Sequence, residues 1–288
     1  MKFLGAFLVA LALVFIESSR VVEGEDVADI TMGSSMEYPE GIAHFPELGE
    51  IIENMHNSNE SAMENPEETG PYIEGDIKDD GEFYRKMLRN GIMNHSLRWP
   101  KGRVPYVIKG SFTPQQLAII GHAFNEYHRN TCIRFRQRTT EPDYVSITNS
   151  GDGCWSSVGR MGGEQVLNLQ SPKCFSNYGT TIHELMHVLG FYHEQNRHER
   201  DNYVRVMGDN VKPGMMINFQ KLPSTSATAF GVAYDYGSLM HYKSTSFSKN
   251  GKPTLVAVKT SPEVSKMGQR IGFSPGDIKK INSMYKCS

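Results

Sequence analysis

The chain is predicted to be an α+β protein, and three kinds of segment predict it. Short β-rich runs recur between residues 104 and 169. Two stretches open with strong helix-start signals, at Thr113-Pro114-Gln115-Gln116 and at Ser274-Pro275-Gly276-Asp277. A third stretch, Gly179 to Leu189, has a helical pattern and stops at Gly190.

The 288 residues allow one large domain or two small ones. A hydrophobic fraction of 39% is enough for a core, and a net charge of −2 gives no broad pull toward nucleic acid or membrane. No nucleic-acid partner and no stable membrane association are therefore expected. The first residues read as a signal peptide: Lys2 is the positive start, and Phe3 to Ile16 is an apolar run shorter than the roughly 20 residues a span needs. Val22 and Gly24 suit a cleavage site, which sets residues 1–24 apart as a leader and makes a secreted, extracellular protein the expectation.

Residues 25–89 are rich in Glu, Asp, Asn and Ser and lack Cys. The run from Asn57 through Asn65-Pro66-Glu67-Glu68 has little to bury, so it is expected to be loosely ordered alone. Asn59 lies in a glycosylation sequon, as does Asn94 further on. Arg85-Lys86-Met87-Leu88-Arg89 is a basic patch suited to a trypsin-like activating protease.

From about Asn90 the composition becomes globular. Val104 to Ile108 reads as a strand. Thr113 is a helix cap with Pro at the first turn and Gln three residues on, opening a helix to about Arg129. Cys132 to Arg138 alternates like a strand with one wet face, and Tyr144 to Thr148 and Gln165 to Leu169 look like further strands. Ser274 repeats the cap logic for a last helix to about Tyr285. The four cysteines, Cys132, Cys154, Cys174 and Cys287, suggest two disulfides in a secretory compartment; sequence alone allows three pairings, and no C-x-x-C pair supports zinc on sulfur.

The informative string is His183-Glu184-Leu185-Met186-His187-Val188-Leu189-Gly190-Phe191-Tyr192-His193. Residues four apart share a helix face, so His183 and His187 can meet one ion. Glu184 is turned about 100° from His183, beside the metal but not on it. A continued helix would carry His193 too far along the axis; Gly190 tolerates the left-handed turn that brings it back. Three neutral imidazoles suit one Zn2+ and leave positions open for water and substrate. A bare H-E-x-x-H is weak evidence, and Thr181 with Glu184 also fits a capping box; the added Gly190 and His193 favour the metal reading, which needs the helix to begin earlier. Zinc brings the pKa of a bound water to about 7, so Glu184 could take its proton and later give it to the leaving amine. No G-x-S-x-G elbow supports a serine mechanism.

The long form of this motif is the metzincin signature. Together with Ser238-Leu239-Met240-His241-Tyr242, Cys132-Ile133-Arg134-Phe135, Gly153 to Arg160 and Gly268-Gln269-Arg270, the chain resembles the astacin family over about residues 66 to 287. The resemblance implies a metzincin-like α+β fold of two subdomains. A twisted, mostly parallel sheet and two helices would form the upper one. A mostly irregular lower one, after Gly190, would end in a helix, with the substrate cleft between them. It implies that Met240 is the apolar floor under zinc, that Tyr242 is a further ligand whose phenol swings away to stabilise the oxyanion, and that His241 is structural. It implies disulfides Cys132–Cys287 and Cys154–Cys174.

It further implies an inhibitory propeptide over 25–89 whose Asp76, in Ile73-Glu74-Gly75-Asp76, occupies the zinc. Ile73 stands where the family usually has Phe, with Tyr72 one residue earlier. The catalytic domain would be 90–288, with the new ammonium of Asn90 buried against Glu194. Arg270 would line the pocket for the residue after the scissile bond and favour an acidic one there. The expected function is thus a secreted zinc-dependent endopeptidase made as a zymogen and acting on protein or peptide substrates. A recognition module that keeps zinc without turnover, and a purely structural zinc site, are the rival readings of the same residues.

Overall fold

Backbone pairing gathers the predicted β-runs into one five-stranded sheet. A computed structural model of the chain describes residues 64–78, 95–224 and 229–287, together with Gly49. Strands β1 (Arg103–Ile108), β2 (Arg134–Gln137), β3 (Tyr144–Thr148), β4 (Cys154–Ser156) and β5 (Glu164–Leu169) lie in the order β2-β1-β3-β5-β4. All neighbouring pairs are parallel except β4 with β5. Alternation does the sorting: Val104 and Tyr106 of β1 are buried while Arg103 is exposed. Strand β2 is shorter than the predicted Cys132 to Arg138. Ile133 N–H is taken by the Thr131 hydroxyl and Cys132 is tied to Cys287, which holds both off the ladder. Strand β4 was not predicted, because three residues show no period.

Helix α1 (Pro114–Asn130) opens with a reciprocal cap, in which Gln116 N–H donates to Thr113 Oγ1 at 3.2 Å and Thr113 N–H to Gln116 Oε1 at 3.1 Å. Helix α2 (Tyr178–Leu189) begins before Thr181, so Thr181 and Glu184 are interior and form no capping box. Helix α3 (Pro275–Tyr285) is capped by Ser274 and Asp277. Asp277 also accepts Leu239 N–H at 2.8 Å and the Ser238 hydroxyl at 2.5 Å, so one cap fixes the turn that precedes Met240.

Two apolar clusters result. The first joins the sheet, α1 and α2, with Phe124, Phe135, Ile182 and Leu185 among its members. The second gathers Val204, Phe219, Tyr236, Tyr242, Phe247 and Leu255 around the short pair β6 (Val204–Val206) and β7 (Leu255–Ala257). Although α3 comes last in the chain, its Ile281 and Met284 bury in the first cluster. The Cys132–Cys287 disulfide fastens that end, and Cys154–Cys174 ties β4 to the approach to α2.

One expectation is corrected. The run at Asn65 to Glu68 does bury: Glu67 is 0% and Glu68 5% exposed, in a 3-10 turn over Pro66–Thr69. Composition gave no hint of partners because the group that answers these carboxylates, Arg270, lies 203 residues away. The leader, Asn59, the Arg85 to Arg89 patch, Asn90 and Asn94 lie outside the described residues.

Candidate metal centre and cleft

Helix geometry sets the first two imidazoles. His183 and His187 sit one turn apart on α2, with their Nε2 atoms 3.1 Å apart. Gly190 then takes φ 112° and ψ 21°, and its N–H closes back on His187 O at 2.7 Å. Few residues other than glycine tolerate that conformation. The turn returns His193, whose Nε2 lies 3.3 Å from that of His183. All three rings are fully buried.

The outer ring nitrogens are spoken for. His183 Nδ1 is 2.9 Å from Leu239 O and His187 Nδ1 is 2.7 Å from Phe191 O. Donating to these carbonyls puts the proton on Nδ1 and leaves the Nε2 lone pair facing inward. His193 Nδ1 meets the Glu74 carboxylate at 2.7 Å. Lone pairs crowded to 3.1 and 3.3 Å repel unless a cation lies between them. Asp76 completes the set: Oδ2 is 3.0 Å from His183 Nε2 and 3.2 Å from His193 Nε2, and Oδ1 is 3.5 Å from His187 Nε2. The four donor atoms lie within 4.8 Å of one another, and Asp76 Oδ1 has no hydrogen-bond partner. Buried carboxylates at Glu74, Asp76 and Glu184 converge here, so a divalent ion would offset charge that is otherwise uncompensated. The donor set fits Zn2+.

Burial alone would raise the Asp76 carboxyl, but the imidazoles that surround it hold it well below the usual range. Glu184 is pushed well above its ordinary value by burial and by the negative charge of Asp76 and Glu67. Its Oε2 accepts from the Ser156 hydroxyl at 2.9 Å, while Oε1 is buried without a partner. Ser156, from β4, is a contact that sequence reasoning missed.

Residues 72–78 lie against the imidazoles and β4. Glu74 has φ 54° and Gly75 φ 89°, a tight reversal closed by Ile77 N–H on Ile73 O at 2.8 Å. A Cβ at Gly75 would lie 3.0 Å from Glu67 O and 3.1 Å from Phe247, so glycine is required there. Beyond the turn Ile77 pairs in parallel with Ser156, which covers the free edge of β4. Where the family usually has Phe, Ile73 packs against the first cluster, and Tyr72 rests on Trp155 with its hydroxyl 2.7 Å from Asp152. Tyr242 donates its hydroxyl to Glu74 O and is wholly buried. Met240 is buried in the first cluster, and its carbonyl accepts Glu194 N–H at 2.9 Å. His241 is held by Tyr234 at 2.7 Å.

Glu194 already has partners in this structure. Its carboxylate accepts from Lys280 and from Arg197, each at 2.7 Å, and from Asp235 N–H at 2.8 Å. Against the cost of burial, Lys280 and Arg197 hold its pKa below the usual range. Neither cation was anticipated: Lys280 is 86 residues from Glu194, and Arg197, three residues on, lies past the end of the predicted helix. A cavity of about 50 Å3, lined by Met186, Phe191, Arg197, Phe230 and Lys280, adjoins it. Arg270 is 1% exposed rather than a surface arginine and is paired with Glu67 and Glu68.

The sequence profile described as Astacin (peptidase family M12A) matches residues 91–286, well over half of the chain. Among curated relatives, zinc metalloproteinase nas-8 of Steinernema carpocapsae is 44% identical over 222 residues, covering 75% of this chain and 52% of the relative. Zinc metalloproteinase nas-14 of Caenorhabditis elegans is 42% identical over 216 residues, covering 73% and 42%. The chain thus spans about half the length of the curated relatives it matches. Among solved structures, high choriolytic enzyme 1, a hatching enzyme zinc-protease from the medaka fish Oryzias latipes, superposes with a TM-score of 0.63 at 37% identity, over 68% of this chain and 97% of that one.

Proposed function

The chain belongs to the astacin family, and from that premise we propose that it is a secreted zinc endopeptidase made as a latent precursor. Residues 1–24 are its leader, 25–89 its inhibitory segment and 90–288 its catalytic domain. The observation that carries the reading is the convergence of three buried Nε2 atoms, with the Nδ1 atoms of His183 and His187 on backbone carbonyls and that of His193 on Glu74.

His183, His187 and His193 hold the metal. When bound there, zinc would supply a Lewis acid and lower the pKa of a water. Glu184 receives a proton at Oε1 as the water attacks the peptide carbonyl and delivers it to the leaving amine nitrogen. Ser156 keeps Oε2 in place so that Oε1 faces the reacting atoms. Tyr242 already donates to a peptide carbonyl, that of Glu74. With the segment removed, the same hydroxyl is free to donate to the oxygen of the scissile carbonyl as charge develops on it.

Latency follows from charge and shape together. Asp76 takes the position the water needs, and residues 73–77 occupy the edge of β4 that an extended substrate would use. Cleavage after Arg89 frees Asn90, whose ammonium joins Glu194 at the adjoining cavity. Once the segment leaves, Arg270 loses both carboxylates and favours an acidic residue after the scissile bond.

The test is a trypsin-treated precursor, diluted until the cut segment dissociates and then assayed on a broad library of quenched peptides, before and after chelation and zinc restoration. Turnover that is lost and regained with zinc, enriched for acidic residues after the cut, is the expected result. Zinc bound without turnover would favour a recognition module instead.

A further inference from the structure

We infer that Glu67 and Glu68 are a second, metal-independent anchor that keeps the inhibitory segment docked at Arg270 after the chain is cut, making the released segment a ligand of the catalytic domain. This rests on the reading of residues 25–89 as a removable segment. The site is fully built. Glu67 Oε1 accepts from Arg270 Nε, and Oε2 from the Thr180 hydroxyl at 3.1 Å. Glu68 Oε1 accepts from Arg270 Nη2 at 3.2 Å, Asn65 Nδ2 at 2.8 Å and Lys243 N–H at 3.2 Å; Oε2 accepts from the Ser246 hydroxyl. Asn65 also donates to Gly268 O at 3.0 Å. All four carboxylate oxygens are satisfied, and Glu67, Glu68 and Arg270 are 0, 5 and 1% exposed.

Asp76 differs in kind. One of its oxygens lacks a hydrogen-bond partner, and its other contacts are to the imidazoles that hold the metal. Its hold should therefore follow the metal, whereas the acidic pair needs only a guanidinium, two hydroxyls and backbone groups. Glu67 also lies at the first turn of α2, where the helix dipole favours an anion. Chain cleavage lowers the effective concentration of the segment but breaks none of these bonds. Proteolysis alone would then leave a bound product that competes with acidic substrates for Arg270.

The experiment uses the full precursor with a tag at the start of the segment, cut by trypsin at the Arg85 to Arg89 run and checked by mass. Retention of the tagged segment on the domain is read by size exclusion, with and without 1,10-phenanthroline. We expect the wild-type and Asp76→Ala segments to be retained in both buffers. The Glu67→Gln/Glu68→Gln segment should bind on the order of 30-fold more weakly or worse with chelator present. Should that variant express poorly, a synthetic peptide of residues 64–78 carrying the same substitutions, competed against the wild-type segment, gives the same readout. Loss of the wild-type segment on chelation, or retention of the double variant equal to wild type, overturns the proposal. Retention is read without turnover, so a failed peptidase assay would leave this result standing.

Discussion

At the scale of the residue, the proposed activity rests on the Glu184 carboxylate and the proposed latency on that of Asp76. On the proposed mechanism Glu184 carries the proton on its unpartnered oxygen, so Glu184→Gln should keep zinc stoichiometry while kcat falls at least on the order of 10²- to 10⁴-fold. Metal analysis and kinetics on the same preparation check both halves, and retained turnover would remove Glu184 as the base. Asp76→Ala takes away the ligand but leaves Glu67 and Glu68 in place. The uncut variant should show measurable peptide hydrolysis where the uncut wild type shows none. The histidines, Gly190 and Glu184 were legible in the sequence because eleven consecutive residues carry them. Ser156 was not, being 28 residues from Glu184 and ordinary in composition.

At the scale of the element, the end of α2 brings His193 back beside His183. Gly190→Ala puts a side chain at φ 112°, at a cost of about 1–2 kcal/mol. Because the strained turn also positions His193, the variant should lose zinc affinity along with thermal stability, measured by metal competition and calorimetry. The junction of α1 with β2 makes a different prediction. His128 Nε2 accepts Phe135 N–H at 2.9 Å, which requires a ring nitrogen without a proton. Burial and the charges of Arg134 and Arg136 lower its pKa to about 4. A depressed histidine contributes stability that is whole above about 6.5 and is lost as pH falls toward 4, because the unfolded chain protonates first. Urea midpoints at pH 7 and 4.5 should therefore differ more in wild type than in His128→Gln. Both capped helices were readable from Thr113 and Ser274, since a cap is a local bargain between neighbours. The double use of Asp277, cap and brace for the turn before Met240, was not.

At the scale of the molecule, both disulfides lie at the first apolar cluster and differ in the length of chain they close. The Cys132–Cys287 bond spans 155 residues and Cys154–Cys174 spans 20. Loop-closure entropy makes the first worth about 5 kcal/mol and the second about 3 kcal/mol. Replacing Cys132 and Cys287 by Ser should accordingly lower the urea midpoint more than replacing Cys154 and Cys174. The reverse order would show that the long bond closes a part of the chain already ordered when unfolded. The seat of residues 67–77 is a property of this scale: they meet the sheet edge at β4, the imidazoles of α2 and Arg270 together.

The sequence by itself determined what is local: the period of the strands, the caps, the four-residue spacing of two histidines and the glycine that turns the chain to a third. Family resemblance extended this to the Met240 turn and to Asp76. Only the tertiary structure decided which distant charges meet. Glu67 and Glu68 read as solvated acids until Arg270 was brought to them, and Glu194 meets Lys280 across 86 residues. The physical reason is that burying a charge depends on its partner, and a partner 86 or 203 residues away leaves no periodic trace.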